Sequence, residues 1–257
     1  MSLKMPPISL SAAAAVAFLA TPALAETKFD GPYVGAVTGL QIHNSRNAIT
    51  EGTPGFLGLP DTIAPESLRL NNNDGWRGGV VAGWNGSSGS LVYGLEADVT
   101  FGPNRATGSF SGAPIPNLAP NGLTTSASRR IGTAGSLRAR LGTTVGEDVL
   151  LYATGGVALA DVRSSANVVV NGAPGVAWSG ERSQTRWGWT IGAGTEFKLT
   201  SAIALRAEYL YTDLGRQSVL AAGNTAVRGV SALNGVDYQA GLPTAGGAAR
   251  IGIIARF

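Results

Sequence analysis

The C-terminal segment, residues 247–257, places different kinds of side chain at odd and even positions. Ile251, Ile253 and Phe257 lie at odd positions, whereas Arg250 and Arg256 lie at even positions. Because successive side chains of a strand point to opposite faces, the segment predicts a strand with one apolar and one arginine-bearing face. In a soluble protein the apolar face would join a core. In a transmembrane barrel the apolar face contacts lipid and the arginines point into the lumen.

The N-terminal residues 1–25 have the pattern of a secretory signal peptide. Lys4 supplies a positive charge, residues 8–20 form an apolar run, and Ala23-Leu24-Ala25 forms a small-residue cleavage site. We expect cleavage after Ala25, Sec-type export, and a single domain over residues 26–257. No later apolar run is long enough for a transmembrane helix, which requires roughly 20 residues.

Composition favours β structure and excludes several kinds of function. The chain contains 37 glycines, and only 14% of its residues are charged. It contains no cysteine, which excludes disulfides and thiolate metal sites. The net charge is only +3 and the basic residues are dispersed, so no nucleic-acid partner is expected.

Alternating patterns predict strands whose connections are alternately long and short. The three short connections are 86–90, 146–148 and 200–202. Long loops at one end and short turns at the other are typical of an outer-membrane barrel with an even number of strands. The sequence therefore predicts an all-β, eight-stranded antiparallel transmembrane barrel with four long extracellular loops (42–74, 103–131, 164–185 and 217–246) and three short periplasmic turns. The predicted strands are 31–41, 75–85, 91–102, 132–145, 149–163, 186–199, 203–216 and 247–257.

Charged residues occupy the less apolar face of most predicted strands, and basic groups outnumber acidic ones. The interior of an eight-stranded barrel is only wide enough for side chains to fill it, which favours a paired polar plug. The alternative is a narrow, anion-preferring pore lined by the surplus arginines. The faces of strands one and five are left unassigned. The predicted lumen charges are Arg77, Glu96, Asp98, Arg138, Arg140, Glu196, Lys198, Arg206, Glu208, Arg250 and Arg256.

Aromatic residues gather near both ends of the predicted strands. Such belts form where amphipathic rings lie at the two headgroup levels of a bilayer. The extracellular belt is predicted to contain Trp76, Phe101, Trp187, Trp189 and Tyr211. The periplasmic belt is predicted to contain Trp84, Tyr93, Phe197 and Phe257.

Several motifs resemble the small outer-membrane β-barrel proteins of Gram-negative bacteria, the OmpA-like and opacity-type "porin family" of alphaproteobacteria. The resemblance covers most of the barrel after residue 75. It implies an abundant surface protein that contributes to envelope integrity and external contacts, with Phe257 as the signal for the outer-membrane assembly machinery. Some family members are weak porins or haem binders. The motifs are Gly135-Ser-Leu-Arg-Ala-Arg-Leu-Gly142, Leu151-Tyr-Ala-Thr-Gly-Gly156, Gly188-Trp-Thr-Ile-Gly-Ala-Gly-Thr-Glu196 and Arg206-Ala-Glu-Tyr-Leu-Tyr-Thr-Asp-Leu-Gly215.

Catalysis and cofactor binding have little support in the residues. A lipid-modifying barrel enzyme needs a histidine base beside a serine hydroxyl. The chain has one histidine, His43, with Ser45 two positions on, and haem ligation by His43 would need a loop tyrosine as its partner. The run Asn71–Asp74 could hold Ca²⁺ loosely, but it lacks the spacing of a dedicated loop and is interpreted as a polar stop. We expect no enzyme activity, cofactor or metal.

The sequence-based hypothesis is therefore a non-enzymatic barrel integral to the outer membrane of a Gram-negative bacterium. Its expected partners are outer-membrane lipid and lipopolysaccharide, together with the assembly machinery that reads the C-terminal strand. The barrel is expected to be a monomer. A narrow porin is the first alternative, and a surface lipid-modifying enzyme or haem-binding barrel is the second.

Overall fold

The fold was analysed in a computed structural model, which describes residues 29–42, 48–52, 65–73, 75–102, 104–117, 119–173 and 175–257. The predicted signal peptide, His43 and Ser45 lie outside these residues, so the hypotheses on them stay predictions. No helix among the described residues is long and apolar enough to span a membrane.

The described chain is built almost entirely from antiparallel strands. A short helix α1 (Thr225–Arg228) and a 3₁₀ turn (Ser231–Leu233) lie between the last two strands. The strands are β1 (Gly31–Ile42), β2 (Ala48–Gly52), β3 (Ser67–Leu68), β4 (Asn71–Asn73), β5 (Trp76–Ser88), β6 (Leu91–Phe101), β7 (Arg105–Ser111), β8 (Leu123–Val145), β9 (Val149–Val170), β10 (Ala177–Lys198), β11 (Ile203–Gly223) and β12 (Tyr238–Arg256).

Eight of these strands form a closed ring in the order β1-β5-β6-β8-β9-β10-β11-β12, and β12 pairs with β1. The closing ladder runs from Tyr33 opposite Arg256 to Ile42 opposite Gly247. The short turns 89–90, 146–148 and 199–202 all lie at one end, which is the periplasmic end in outer-membrane barrels. The predicted eight-stranded antiparallel barrel is confirmed.

Towards the end with the long connections, several strands are much longer than a bilayer crossing requires. β8, β9, β10 and β11 contain 23, 22, 22 and 21 residues, whereas about 9–11 residues are enough to cross the bilayer. The shorter strands prolong the same ladders, since β2 pairs with β12 and β3, and β7 pairs with β4 and β8. Because the long connections of outer-membrane barrels face the exterior, we call this part, made of β2, β3, β4, β7 and the distal parts of β8–β12, the extracellular extension.

The extension corrects the predicted loops. Residues 103–131, 164–185 and 217–246 were predicted as long loops, but most of their described residues lie in strands. Asn71–Asn73 is likewise part of a strand, paired with Arg105–Thr107 of β7, and not a polar stop. The prediction was wrong because these strands lack the apolar outward face that marks a strand surrounded by lipid.

Strand β9 shows how the two faces exchange polarity along one strand. Near the periplasmic end its outward side chains include the exposed Leu151 and Val157. Beyond Ala160 the outward positions carry Asp161 and Arg163, while the inward Val168 is fully buried. The outer face of β9 is therefore apolar, as contact with lipid requires, near the periplasmic end, and polar, as contact with water requires, beyond Ala160. The inner face changes polarity in the opposite sense.

The extension has its own apolar core inside the tube. Trp178 is 2% exposed, and its indole Nε1 donates a hydrogen bond to the Val236 carbonyl at 2.8 Å. Register shifts occur in β8 between Ile131 and Ala134 and in β11 between Asp213 and Arg216, close to the level where the polarity changes. The buried residues of this core are Ala48, Leu68, Leu70, Ala106, Ala119, Leu123, Ala127, Ala166, Val168, Val170, Trp178, Val219, Ala221, Val227, Tyr238, Ala240 and Leu242.

We predict that Val168→Asp loosens the extension while the membrane-spanning part remains folded. An uncompensated charge would be buried at a side chain that is 0% exposed, at a cost of about 3–5 kcal/mol. Trypsin treatment of the refolded protein in liposomes should then cleave at Arg163 or Arg182, which the wild-type strands protect.

The matched control is Val169→Asp, one position along β9 on the partly exposed outer face. It should keep the wild-type cleavage pattern. Equal cleavage in both variants, or in neither, would contradict an apolar core in the extension.

Candidate functional site: the filled lumen

Most of the predicted lumen charges converge inside the membrane-spanning part of the barrel. They come from the inner faces of β6, β8, β10, β11 and β12, and each side chain is at most 8% exposed. We call them the ion-pair cluster: Glu96, Asp98, Arg138, Arg140, Glu196, Arg206, Glu208, Arg250 and Arg256.

Strand register sets the pairing within the cluster. Glu96 lies directly opposite Arg138 on the neighbouring strand. In the same way Glu196 lies opposite Arg206, and Glu208 lies opposite Arg250. Directly opposite side chains on one face lie close together, so each of these three glutamates meets an arginine without any contribution from the loops.

Contacts across the lumen join these pairs into one network. Arg138 is its centre: it contacts Glu96, lies 2.9 Å from Asp98, and lies 3.1 Å from Glu208. Arg206 lies 2.7 Å from both Glu96 and Glu196, which belong to different strands. Because buried charges are tolerated only when paired, the network accounts for these arginines without invoking a ligand.

Two tyrosines on the strands with unassigned faces complete the network. The Tyr33 hydroxyl donates to Glu96 at 2.6 Å and accepts from Arg140 at 2.8 Å. Tyr152 donates to Glu208 at 3.1 Å, and the Arg140 guanidinium lies 3.9 Å from its ring centroid. The sequence analysis missed both residues. The signal that could have found Tyr33 was the alternation within β1: Val34 and Leu40 are even-numbered and face outward, so the odd-numbered Tyr33 faces the lumen.

Glycines make room for these two rings. A Cβ atom at Gly83 would lie 2.4 Å from Tyr33, and one at Gly194 would lie 2.6 Å from the Tyr152 hydroxyl. Both distances are too short for any other residue at these positions. The glycines therefore fill the lumen indirectly, by letting aromatic rings lie against the barrel wall.

The remaining basic residues are not free lumen charges. Arg77 donates to the carbonyls of Gly102 and Thr100 on one side, and of Ile131 and Gly132 on the other, at 2.6–3.3 Å. Lys198 is half-buried at the end of β10, away from the cluster centre. Arg77 therefore keeps its positive charge but is held in place by neutral backbone carbonyls.

The lumen is filled at three levels. At the periplasmic mouth Phe29, Val92 and Leu150 form an apolar cap, and the Phe29 carbonyl accepts hydrogen bonds from Asn85 and Arg256. The ion-pair cluster lies above this cap, and the apolar core of the extension fills the far end. Between the last two lies a cavity of about 100 Å³, lined in part by Arg77, Asp98, Thr190, Thr212, Thr244 and Arg250. It has room for a few water molecules.

Arg129 is a buried charge in the extension that the sequence analysis placed in a loop. Its guanidinium is 3% exposed and donates to the Pro243 carbonyl. Burial lowers the pKa of Arg129 to about 10, which is below its ordinary value in the unfolded chain. Because the folded chain has the lower pKa, ionisation of Arg129 opposes folding at neutral pH.

The predicted belt aromatics all lie on the outer surface. Trp76, Trp187 and Trp189 are 57%, 68% and 50% exposed at the end with the long connections. Tyr211 is half-buried, and its ring centroid lies 5.5 Å from that of Trp189. At the periplasmic end Trp84 and Tyr93 form an edge-on pair with centroids 6.4 Å apart. Phe101, Phe197 and Phe257 are similarly exposed.

An apolar belt of strands with a charged interior and exposed aromatic rings at both ends defines an integral β-barrel of the bacterial outer membrane. The comparisons with known proteins agree. The family model described as an outer membrane protein β-barrel domain matches residues 11–240, so the chain belongs to this family.

Relatives in Brucella melitensis carry the name outer-membrane immunogenic protein. The chain is 32% identical to the 25 kDa protein over 86% of its own length and 83% of that protein's. It is 36% identical to the 31 kDa protein, but this match spans 59% of each chain. Among solved structures, the outer membrane protein OprG from Pseudomonas aeruginosa has the same fold, with a TM-score of 0.55 and 10% identity over 91% of this chain and 99% of OprG.

We predict that Glu96→Gln destabilises the barrel by about 3–5 kcal/mol, because it leaves Arg138, Arg140 and Arg206 short of a buried counter-charge. Urea unfolding of the protein refolded into lipid vesicles, followed by tryptophan fluorescence, would measure the change.

The matched control is Glu181→Gln in the exposed pair with Arg163, whose side chains are 54% and 65% exposed. Surface pairs contribute about 0–1 kcal/mol, so this variant should unfold close to the wild-type urea concentration. Equal effects of the two substitutions would contradict the structural role of the cluster.

Proposed function

We propose that the protein is a non-enzymatic, non-conducting outer-membrane barrel that contributes to envelope integrity and displays a folded β surface to the exterior. One observation carries the proposal: buried side chains fill the lumen at three successive levels. A pore would need a continuous water path through the barrel. Here the apolar cap, the ion-pair cluster and the apolar core follow one another along the barrel axis.

The ion-pair cluster supports a structural role over transport. Solute passage would require breaking several buried contacts of Arg138 and Arg206 at once. Each uncompensated buried charge costs several kcal/mol, so the paired state is strongly preferred. The cavity of about 100 Å³ lies between the cluster and the core, and its volume suits trapped water better than a solute path.

The extracellular extension supports surface display. Its strands carry polar outward side chains and a packed interior, as a water-soluble β domain does. The Brucella relatives are named as immunogenic proteins of the outer membrane, which is consistent with an exposed, ordered surface. We expect the same kind of surface in this chain.

A non-enzymatic role is supported by the residue inventory. The chain contains one histidine, His43, as the potential base for ester or lipid hydrolysis. The purified protein should therefore show no lipid A deacylase or esterase activity. An activity that disappears in His43→Ala would overturn this part of the proposal.

We predict that the refolded protein gives no stable single-channel steps in planar bilayers. The reason is the serial filling of the lumen by paired charges and apolar side chains. An established small porin, refolded in the same way, serves as the positive control. Stable steps whose amplitude changes in Arg138→Ala or Arg250→Ala would show that ions pass the cluster, and would favour the narrow-pore alternative.

We predict that deletion of Phe257 impairs assembly in the outer membrane. Phe257 is 57% exposed in the periplasmic belt, and its backbone N–H donates to the Pro32 carbonyl at 3.1 Å, next to the seam between β12 and β1. Heat-modifiable, surface-exposed protein would be measured in cells. Phe257→Tyr, which keeps an aromatic terminus, is the control and should assemble. Normal assembly of the deletion variant would refute this role of Phe257.

A further inference from the structure

Three arginines lie side by side on the outer face of the extracellular extension. Arg105 of β7 is directly opposite Arg130 of β8, and Arg130 is directly opposite Arg163 of β9. All three side chains are exposed. We call this set the arginine row. The arrangement is a consequence of register, so the three guanidinium groups lie within reach of one ligand.

Three like charges on adjacent strands repel one another, which is unfavourable for the sheet. Arg163 has a partial counter-charge in Glu181, at 2.6 Å. Among the residues that the structure describes, no carboxylate lies within ion-pair distance of Arg105 or Arg130. The row therefore presents positive charge that the described protein surface does not neutralise, and an external anion would relieve the repulsion.

The height of the row places it at the lipid headgroups. Phe101 and Trp187 belong to the extracellular aromatic belt, which marks the edge of the hydrocarbon layer. Arg105 follows Phe101 along the same edge of the sheet, and Arg163 follows Leu159, the cross-strand partner of Trp187. At about 3.3 Å per residue and the usual strand tilt, these intervals place the guanidinium groups about 10 Å above the belt.

Hydroxyl groups form the next row outward. Thr107, Ser128 and Ser165 are cross-strand neighbours, and the Ser128 and Ser165 hydroxyls are 2.9 Å apart. Together with Arg105 they line a surface groove of about 680 Å³. Hydroxyls that can both donate and accept suit the hydroxyl groups of a sugar. Positive charge near the bilayer with hydroxyls beyond it matches a headgroup of phosphorylated sugars.

We propose that the arginine row is a binding site for the phosphate groups of an outer-leaflet glycolipid, lipopolysaccharide, with Thr107, Ser128 and Ser165 contacting its sugars. Guanidinium groups bind phosphate through paired, charge-assisted hydrogen bonds. The site would attach the extension to the surrounding lipid. This inference shares with the proposed function the assignment of the extension to the exterior, but it does not depend on whether the lumen conducts.

The test uses the full chain refolded in uncharged detergent micelles. Diphosphorylated lipid A, dephosphorylated lipid A and inorganic phosphate are titrated separately at constant ionic strength, and binding is measured by thermal unfolding and calorimetry. We expect saturable binding of diphosphorylated lipid A, weaker binding of the dephosphorylated form, and no saturable effect of inorganic phosphate. In Arg105→Gln/Arg130→Gln/Arg163→Gln, affinity for diphosphorylated lipid A should fall by about tenfold or more, the scale of one lost charge-assisted hydrogen bond.

The matched control is Arg182→Gln/Arg216→Gln/Arg228→Gln, which removes the same charge from exposed positions outside the row. It should retain wild-type affinity. Equal loss in both triple variants would indicate attraction by net charge alone and would overturn the site. Saturable binding of inorganic phosphate, or unchanged affinity in the row variant, would overturn it as well. Without ligand, the row variant should unfold at or above the wild-type temperature, because the repulsion among the three arginines is removed. An unfolding temperature in that range shows that a loss of binding is not caused by misfolding.

Discussion

Closure of the sheet by the β12–β1 ladder is the constraint on which the rest of the structure depends. A bilayer offers no hydrogen-bond partners, so an open sheet edge inside it would be prohibitively costly. The ladder from Tyr33–Arg256 to Ile42–Gly247 removes the last edges. Closure also fixes the register of every strand, and register places Glu96, Glu196 and Glu208 opposite Arg138, Arg206 and Arg250. The polar interior is therefore a consequence of how the ring closes.

The same strands are surrounded by lipid over one part of their length and by water over the other. Inside the membrane their outer faces are apolar and their inner faces carry paired charges, whereas beyond it the outer faces are polar and the core is apolar. Alternation with period two continues throughout, and only the identity of the buried face changes. The irregularities after Ile131 and Asp213 lie near this transition, where a bulge can re-aim the side chains of a strand. Buried side chains thus fill the tube on both sides of this transition, which is the basis of the proposed function.

Sequence reasoning succeeded where lipid makes the pattern strong. Segments such as Trp187–Phe197 combine apolar outward residues with belt aromatics, and their faces follow directly from alternation. It failed in the extension, where the outward residues Asp161, Arg163 and Ser165 of β9 are polar. The prediction expected every strand to carry an apolar outward face in contact with lipid, so this polar segment was interpreted as a loop. It also missed Tyr33, Tyr152 and Arg129. Strand direction and bounds were not enough to show which side chains meet across a lumen.

The sequence by itself determined the class of structure, because a bilayer imposes a strand length, an alternation and aromatic belts that are local along the chain. It also supplied most of the charges that fill the lumen. Only the tertiary structure decided how those charges pair, since Arg138 meets Glu96, Asp98 and Glu208 from strands far apart in the chain. It alone aligned Arg105, Arg130 and Arg163 in one row. Both arrangements depend on the register between strands, which is a property of the closed ring and not of any single segment.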